Sequence, residues 1–339
     1  MKAIVYTGTG GPDVLELAER PVPEPAPGEV RVRVTVSGVN PTDWKSRQGD
    51  GSGAPPPAGW QIPHHDGAGV VDAVGNGVDP VLVGERVWLW EAAYRRPWGT
   101  AAEYTTVPAR QAVLLPAGTP DVLGASLGVP FLTAHRCLTA GEAMPDRLDP
   151  GALSGRTVLV QGGAGAVGNA AIQLARWADA TVVATVSSPA KAQLAAAAGA
   201  SHVIDYRTED VATEVRKIVP HGVDAIVEVS AANTATDVAV IGLHGCVAVY
   251  ADSGGGELTL PVRPLMVPNA RWQFVLLYTE PAAAKAAAVE DVNAAVADGA
   301  VRVGPDAGLP LHRFPLAATA EAQAAVQDGA VGKVLVDVA

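Results

Sequence analysis

The chain has 339 residues, 48% of them hydrophobic, so it can bury more than one core, and length alone favours two domains over one. Its net charge of -11 argues against a nucleic-acid backbone or an anionic membrane surface as main partner, because both attract basic surfaces. No apolar run is long enough to cross a bilayer and the first residues carry no signal-peptide apolar core, so the cytoplasm is the expected location.

The first hundred or so residues read as β-rich, with strand-like segments at 2–6, 30–39, 69–74, 85–90 and 102–107 punctuated by Gly and Pro. Val30, Val32, Val34 and Val36 alternate with Arg31, Arg33, Thr35 and Ser37, which turns one strand face to a core and the other to water, an antiparallel signature. The proline-rich stretch 21–28 can join neither a sheet ladder nor a helix interior and is expected to be extended. Trp44, Trp60, Trp88, Trp90 and Trp98 all fall in this part, and some could line a flat apolar slot. Trp88 and Trp90, however, share a strand face, which is the pattern of a core. Cys137 and Cys246 stand far apart without a CxxC pair, so they read as small buried residues rather than a disulfide or a zinc cluster.

Beyond Arg156 short apolar runs at 157–160, 181–186, 202–204, 225–229, 246–250 and 274–278 alternate with Ala-rich stretches, the sequence form of repeated βαβ units and a parallel sheet. Helices are expected to start near Ala166, Pro189, Glu209 and Ala232, with another over 281–298; Pro189 and Pro281 suit a first helical turn. The tail, 309–339, holds an apolar run, an Ala-rich helix over 317–327 and a last strand over 333–338, and is assigned back to the first domain. The expected class is α/β, a doubly wound parallel sheet joined to a mostly antiparallel β domain.

The sharpest local signal is the run 157–168, a buried strand leading into Gly163-x-Gly165-x-x-Gly168 and then an amphipathic helix. Glycines let the turn tighten and the backbone approach a diphosphate, while the free amides and dipole of the helix start favour negative charge. Gly163, Ala164, Gly165, Ala166 and Val167 are therefore the expected phosphate cradle. An NAD site wants an acidic residue at the end of the next strand, but Val186, Ser187 and Ser188 stand there, with Lys191 one turn on. Hydroxyls and a cation in place of a carboxylate suit a 2′-phosphate, so NADPH is the expected cofactor; the plain alternative for Lys191 is a solvated helix residue. Tyr206 either stacks on the adenine, donates to the phosphate, or packs on the surface.

Together with Gly28-Glu29-Val30, Gly38-Val39-Asn40-Pro41-x-Asp43, Asp66-Gly67-Ala68-Gly69-Val70-Val71, Leu132-Thr133-Ala134, the residues Gly199-Ala200 and Asp205-Tyr206, and Gly332-Lys333-Val334, the glycine turn resembles the medium-chain dehydrogenase/reductase superfamily. Within it the chain looks like the zinc-free, zeta-crystallin-like NADPH:quinone oxidoreductase group. The resemblance covers nearly the whole chain. It implies a GroES-like catalytic domain over 1–125, completed by 301–339, a Rossmann NADPH-binding domain over 126–300, and a homodimer.

In zinc enzymes of that superfamily the position of Asn40 is a metal-binding Cys, and a four-Cys lobe holds a second zinc; both are missing here. His65 falls where a zinc-ligand His lies, but one such ligand cannot make a three-ligand site, so no metal is expected and His65 reads as packing or a polar pocket wall. The resemblance places Asn40 and Thr133 beside the nicotinamide, and Ser230, Tyr250, Ala251, Asp252, Phe274, Val275 and Leu276 along the cofactor. Lys333 matches a Lys near the cleft, with a surface role as its alternative. Trp44, His65 and Phe131 are candidate pocket residues; Lys45, His64 and His135 depart from the usual Tyr, Gly and aromatic.

Without a Lewis-acid metal, alcohol oxidation lacks its usual stabilisation of an alkoxide, whereas a quinone or enone is already electrophilic and delocalises the charge it receives. The expected activity is hydride transfer from NADPH to a small electrophile, a quinone or an α,β-unsaturated carbonyl. Asn40 is the first candidate donor to the developing oxygen charge, followed by Lys45 and Thr133; alternatively Asn40 is a turn residue before Pro41. Double-bond reduction in a biosynthetic pathway and a non-catalytic, crystallin-like NADPH-binding role stand as alternatives, and a zinc alcohol dehydrogenase as a poorer one.

Overall fold

The structure is a computed structural model that describes residues 1–49 and 59–338. In chain order its elements begin with β1 (Lys2–Val5), β2 (Glu16–Glu19), β3 (Glu29–Val39), α1 (Pro41–Gln48), β4 (Asp66–Val74), β5 (Arg86–Leu89), β6 (Tyr104–Pro108), β7 (Ala112–Leu114) and α2 (Asp121–Thr139). They continue with β8 (Thr157–Val160), α3 (Ala166–Trp177), β9 (Thr181–Val186), α4 (Pro189–Ala198), β10 (His202–Asp205), α5 (Val211–Ile218), β11 (Val223–Ser230), α6 (Thr234–Val240) and β12 (Ile241–Ser253). The chain then forms α7 (Val262–Met266), β13 (Arg271–Phe274), α8 (Ala282–Ala297), β14 (Leu311–Pro315), α9 (Thr319–Gln327) and β15 (Lys333–Asp337). It packs as two units, Met1–Val129 with Leu311–Ala339, and Pro130–Pro310.

In the first unit the strands order as β14-β15-β3-β4-β5-β7, with β6 also paired to β3. The alternation in β3 does what the pattern demands: Val30, Val32, Val34 and Val36 are buried, and Trp88 lies in the interior with no exposed surface. All pairs are antiparallel except β14 with β15. The C-terminal strand closes this sheet by pairing Val334 with Val39, which sets Lys333 beside the end of β3 and the turn into α1.

In the second unit six parallel strands order as β10-β9-β8-β11-β12-β13. The strand β8 is buried throughout, as a central parallel strand covered on both faces requires. From β8 the chain winds out to β10 and then returns to β11 on the other side, so the winding reverses between β8 and β11, the place where such sheets open a crevice. Away from that crevice, Asp291 on α8 pins the segment before β8, accepting from the Leu148 amide at 2.8 Å and Arg147 Nε at 2.8 Å, with His135 Nε2 at 2.8 Å. Burial works against this carboxylate, yet the bonds from His135 and Arg147 hold it down to about 2.

Some elements depart from the sequence pattern. The expected strand at 274–278 lies earlier, as β13, and the chain leaves the sheet in a 3-10 turn at Leu277–Thr279. The ribbon strand β2 and the helices α1 and α2 carry no clear periodic signal. In α2 the cause is visible: Gly124, Gly128 and Pro130 interrupt it, each a residue that lowers helix propensity.

Candidate functional site

The glycine turn after β8 is built for close approach. A Cβ on Gly168 would lie 2.3 Å from the Gly162 carbonyl oxygen, and one on Gly163 would lie 2.9 Å from Ala184 Cβ. Gly165 is the N-cap of α3 and supplies no capping side chain, so first-turn amides of this twelve-residue helix face outward for an external acceptor. At the end of β9, Lys191 Nζ donates to Ser187 Oγ at 3.1 Å, while Ser188 Oγ caps α4 by accepting from the Lys191 amide at 3.3 Å. Tyr206 follows β10, the neighbour of β9, and is exposed. Ser230, Tyr250 to Asp252 and Phe274 to Leu276 lie at or just past the carboxyl ends of β11, β12 and β13, or within the last turns of those strands. The parallel sheet therefore gathers the residues expected for a nucleotide along one edge, and their chemistry fits a dinucleotide diphosphate.

The first unit holds a second polar centre, all of it buried. Asn40 follows β3 and caps α1, where its amide N–H donates to Asp43 Oδ2 at 2.7 Å. Its side chain is fixed from both sides: Lys333 Nζ donates to Asn40 Oδ1 at 2.7 Å, and Asn40 Nδ2 donates to Asp66 Oδ2 at 2.7 Å. Because an ammonium group only donates and a carboxylate only accepts, this pair leaves no doubt about the amide's orientation, and one Nδ2 hydrogen remains to it. Asp66 also accepts the Val129 amide at 2.9 Å and lies 3.6 Å from Lys333 Nζ. Burial drives the Asp66 carboxyl up and the Lys333 ammonium down, and each opposes the other's shift by its charge. Burial, and then the Asp66 charge, raises Asp43 well above the carboxylate range against the Asn40 bond.

Beside this centre runs a directed chain of donors. Arg47 Nε donates to Gln323 Oε1 at 2.8 Å, which leaves Gln323 Nε2 to donate to His64 Nε2 at 3.2 Å. His64 Nδ1 then carries the ring proton toward Ser37 Oγ at 2.9 Å; Ser37 and Thr100 hydroxyls meet at 2.7 Å, and Thr100 Oγ1 donates to the Asp66 carbonyl at 2.6 Å. Burial pulls both His64 and His65 down to about 3, so both imidazoles are neutral at neutral pH. His64 has φ 79°, the left-handed region that glycine fills without strain, and the two ring bonds offset the cost of holding a side chain there.

Sequence comparisons match residues 166–293 to a zinc-binding dehydrogenase family model and residues 26–117 to an alcohol dehydrogenase GroES-like domain. The chain is 35% identical over 277 residues to the synaptic vesicle membrane protein VAT-1 homolog of Rattus norvegicus, covering 80% of this chain and 64% of that protein's length. It is 31% identical over 264 residues to the quinone oxidoreductase of Lama guanicoe, covering 76% of this chain and 75% of that one. Among solved structures, an NAD-dependent alcohol dehydrogenase superposes with TM-score 0.86 at 28% identity over 100% of both chains. A mycobacterial protein complexed with NADPH does so with TM-score 0.81 at 28% identity over 99% of both.

The chain belongs to the medium-chain dehydrogenase/reductase superfamily, in its quinone oxidoreductase group. The sheet of the first unit is the GroES-like part of that fold and the parallel sheet is its Rossmann-like part. Among the described residues no group of three or more His, Cys, Asp or Glu side chains is arranged to hold a metal ion. Of the residues that the superfamily resemblance singled out, Lys333 has a definite place: it is 1% exposed and bonded to Asn40, which removes its surface alternative. Thr133 and Phe131 are buried in the second unit's part of α2, Lys45 Nζ lies 5.9 Å from the Trp44 ring centre, and His65 Nε2 lies 3.9 Å from Asp43 Oδ1. Asp66 and Asp43, which orient Asn40, stand in motifs that carry the resemblance but had no assigned role; for Asp66 the available signal was an acidic residue opening a largely apolar, glycine-rich strand, and for Asp43 its place three residues after Asn40 in a helix start.

Proposed function

We propose that the chain is a zinc-independent, NADPH-dependent reductase that delivers hydride to a small electrophile, a quinone or an α,β-unsaturated carbonyl compound, in the cytoplasm. The observation that carries the cofactor reading is the end of β9, where Ser187, Ser188 and Lys191 offer hydroxyls and an ammonium group beside the glycine turn and no carboxylate follows Val186 in the turn into α4. NADPH, when bound, supplies the hydride. The turn Gly163, Ala164 and Gly165 lets the diphosphate approach the backbone and the first-turn amides of α3, at Ala166 and Val167, take its charge, Lys191 and the two serines take the 2′-phosphate, and Tyr206 flanks the adenine. Ser230, Tyr250, Ala251, Asp252, Phe274, Val275 and Leu276 line the path of the remaining cofactor.

Asn40 is the donor we assign to the developing oxygen charge, through the amide hydrogen that Asp66 leaves over. Lys333 acts through Asn40, as a positioning residue. Lys45 in the first unit and Thr133 in the second are further proposed donors, and Trp44 and His65 in the first and Phe131 in the second are proposed substrate-contacting residues. An amide at position 40 is a poor zinc ligand where a thiolate is a good one, which supports a reaction that needs no metal.

Purified protein is expected to oxidise NADPH with a quinone or an enone, assayed side by side, and to keep that activity in a chelator; no hydride loss to either acceptor class sinks the proposal. Lys191→Ala is expected to weaken NADPH binding about tenfold, ~1.4 kcal/mol, and NADH binding far less. Equal losses would remove Lys191 from the 2′-phosphate site.

The protein is further proposed to be a homodimer joined at the edge of its parallel sheet. β13 is the edge strand, and exposed apolar side chains lie on the segments next to it in the sheet or in the chain: Leu243, Met266, Val267, and Val262 at 78% exposure. A second copy covers such an edge by symmetry, removing both the unpaired strand and the apolar patch from water. Sedimentation at twice the mass of one chain is the expected result, and Val262→Asp is expected to return it to the monomer value; a monomeric parent protein refutes the dimer.

A further inference from the structure

Beneath the glycine turn lies a buried carboxyl pair that nucleotide binding, as described above, does not use. Glu228 on β11 and Asp237 on α6 are each 1% exposed. Glu228 Oε1 accepts from the Ser230 amide at 2.6 Å and from Asn233 Nδ2 at 2.9 Å, while Glu228 Oε2 finds no donor among the described residues. Asp237 Oδ1 accepts from Gln161 Nε2 at 3.2 Å. From there a line of single bonds runs to the turn: Thr185 Oγ1 donates to Gln161 Oε1 at 2.6 Å, and the Gly162 amide donates to Thr185 Oγ1 at 3.2 Å. The next amide, Gly163, donates to the Thr185 carbonyl at 2.9 Å.

The helix α6 packs on β11, so two ionised carboxylates facing each other there without water would repel, and an acceptor oxygen buried without a donor is costly. A single proton on Asp237 answers both problems, because an O–H aimed at Glu228 replaces repulsion with a charge-assisted hydrogen bond and supplies the donor that Oε2 lacks. We propose that Asp237 and Glu228 share one proton, and that this proton positions the phosphate cradle by holding Gln161, through it Thr185, and through Thr185 the Gly162 amide. Loss of the proton to solvent leaves two negative charges that push apart, slackens the line and weakens nucleotide binding. The inference rests on the nucleotide reading of the glycine turn.

The electrostatics agree with the geometry. Burial first, and then the Glu228 charge and the bond to Glu228, push the Asp237 carboxyl up to about 9, and burial raises Glu228 as well. Tyr250, on β12, is the phenol that feels Glu228; desolvation, and then Cys137 and Glu228, drive it upward, so it stays protonated while the pair titrates. The other groups in the line, Gln161, Thr185 and Asn233, do not titrate.

The test is the NADPH dissociation constant, read by calorimetry between about pH 7 and about pH 10, in the parent protein and in Asp237→Asn and Glu228→Gln. In the parent protein the constant is expected to rise on the order of tenfold across that range as the shared proton leaves. In each variant the ratio of the two end values is expected to collapse towards one, whatever the affinity at pH 7, because no shared proton remains to be lost. A flat parent profile, or a rise that persists in Asp237→Asn, overturns the proposal. Infrared spectroscopy adds a measurement independent of nucleotide: a buried carboxylic-acid carbonyl band present in the parent protein at pH 7, gone by pH 10 and missing from Asp237→Asn supports the shared proton, and parent and Asp237→Asn spectra that are alike at pH 7 refute it. Failure to bind any nicotinamide nucleotide would sink the nucleotide reading instead, while leaving the infrared result to decide the pair.

Discussion

Lys333→Met is expected to destabilise the protein by about 3–5 kcal/mol, among the largest effects of any single change in the first unit. Methionine matches the length and shape of the lysine stem, so the loss is of charge and hydrogen bonding rather than of packing. Without the ammonium group Asp66 keeps its bonds from Asn40 and Val129, but the buried Asp66 and Asp43 lose the cation whose charge favours their ionised forms. The sign of the pH dependence follows. Burial already raises the Asp66 carboxyl and Lys333 opposes that rise; in the variant the folded protein therefore binds protons more tightly than the unfolded chain. Stability then falls as pH rises, so the deficit is expected to be greatest at neutral pH and to shrink as pH is lowered toward the carboxylate range of the unfolded chain. Urea unfolding across that range measures it. Adding Asp66→Asn to the variant is expected to recover a large part of the loss by removing the orphaned charge. A Lys333→Met protein with parental stability at neutral pH would show that the ammonium group carries no weight in this centre.

The two polar centres were unequally visible in the sequence. The nucleotide turn was legible because strand, glycines and helix start lie within twelve consecutive residues, and each constrains the next through local backbone geometry. The alternation of Val30 to Ser37 and the run of βαβ units were legible for the same reason. By contrast, Asn40 meets Asp66 across 26 residues, Asp66 meets Val129 across 63, and Lys333 meets Asn40 across 293. The register of β15 against β3 decides that last contact, and nothing local to Gly332-Lys333-Val334 encodes it. The line from Asp237 to Gly162 was hidden in another way: Gln161 follows the apolar run 157–160, where a polar residue reads equally as the start of a loop, and Thr185 and Glu228 are single polar residues inside runs that read as strands without them. The anchoring of 301–310 on the second unit, through Asn169 Nδ2 donating to the Ala307 carbonyl at 2.8 Å, has no sequence signal that we can identify.

Gly128→Ala is expected to cost about 2–4 kcal/mol although the position lies in a helix, where alanine is otherwise the better residue by about 1 kcal/mol. An added Cβ would stand 2.0 Å from Asp66 Oδ1 and 2.6 Å from Asp66 Cγ. A long exposed side chain would swing aside, but Asp66 is short and is held by Asn40, Val129 and Lys333 at once. Either α2 moves away from β4, or the carboxylate turns and gives up bonds that are charge-assisted. Helix propensity and contact geometry thus pull in opposite directions, and the magnitudes make the contact win. Gly8→Ala serves as the comparison, because a Cβ there meets nothing within 4 Å and its stability is expected to stay within about 0.5 kcal/mol of the parent. The same displacement of Asp66 would free the Asn40 amide to rotate, so turnover is expected to drop in Gly128→Ala more than NADPH binding does. If Gly128→Ala proves as stable as Gly8→Ala, then the close seating of α2 on Asp66 is not what this glycine is for, and the breakers that hide the helix in the sequence need another cause.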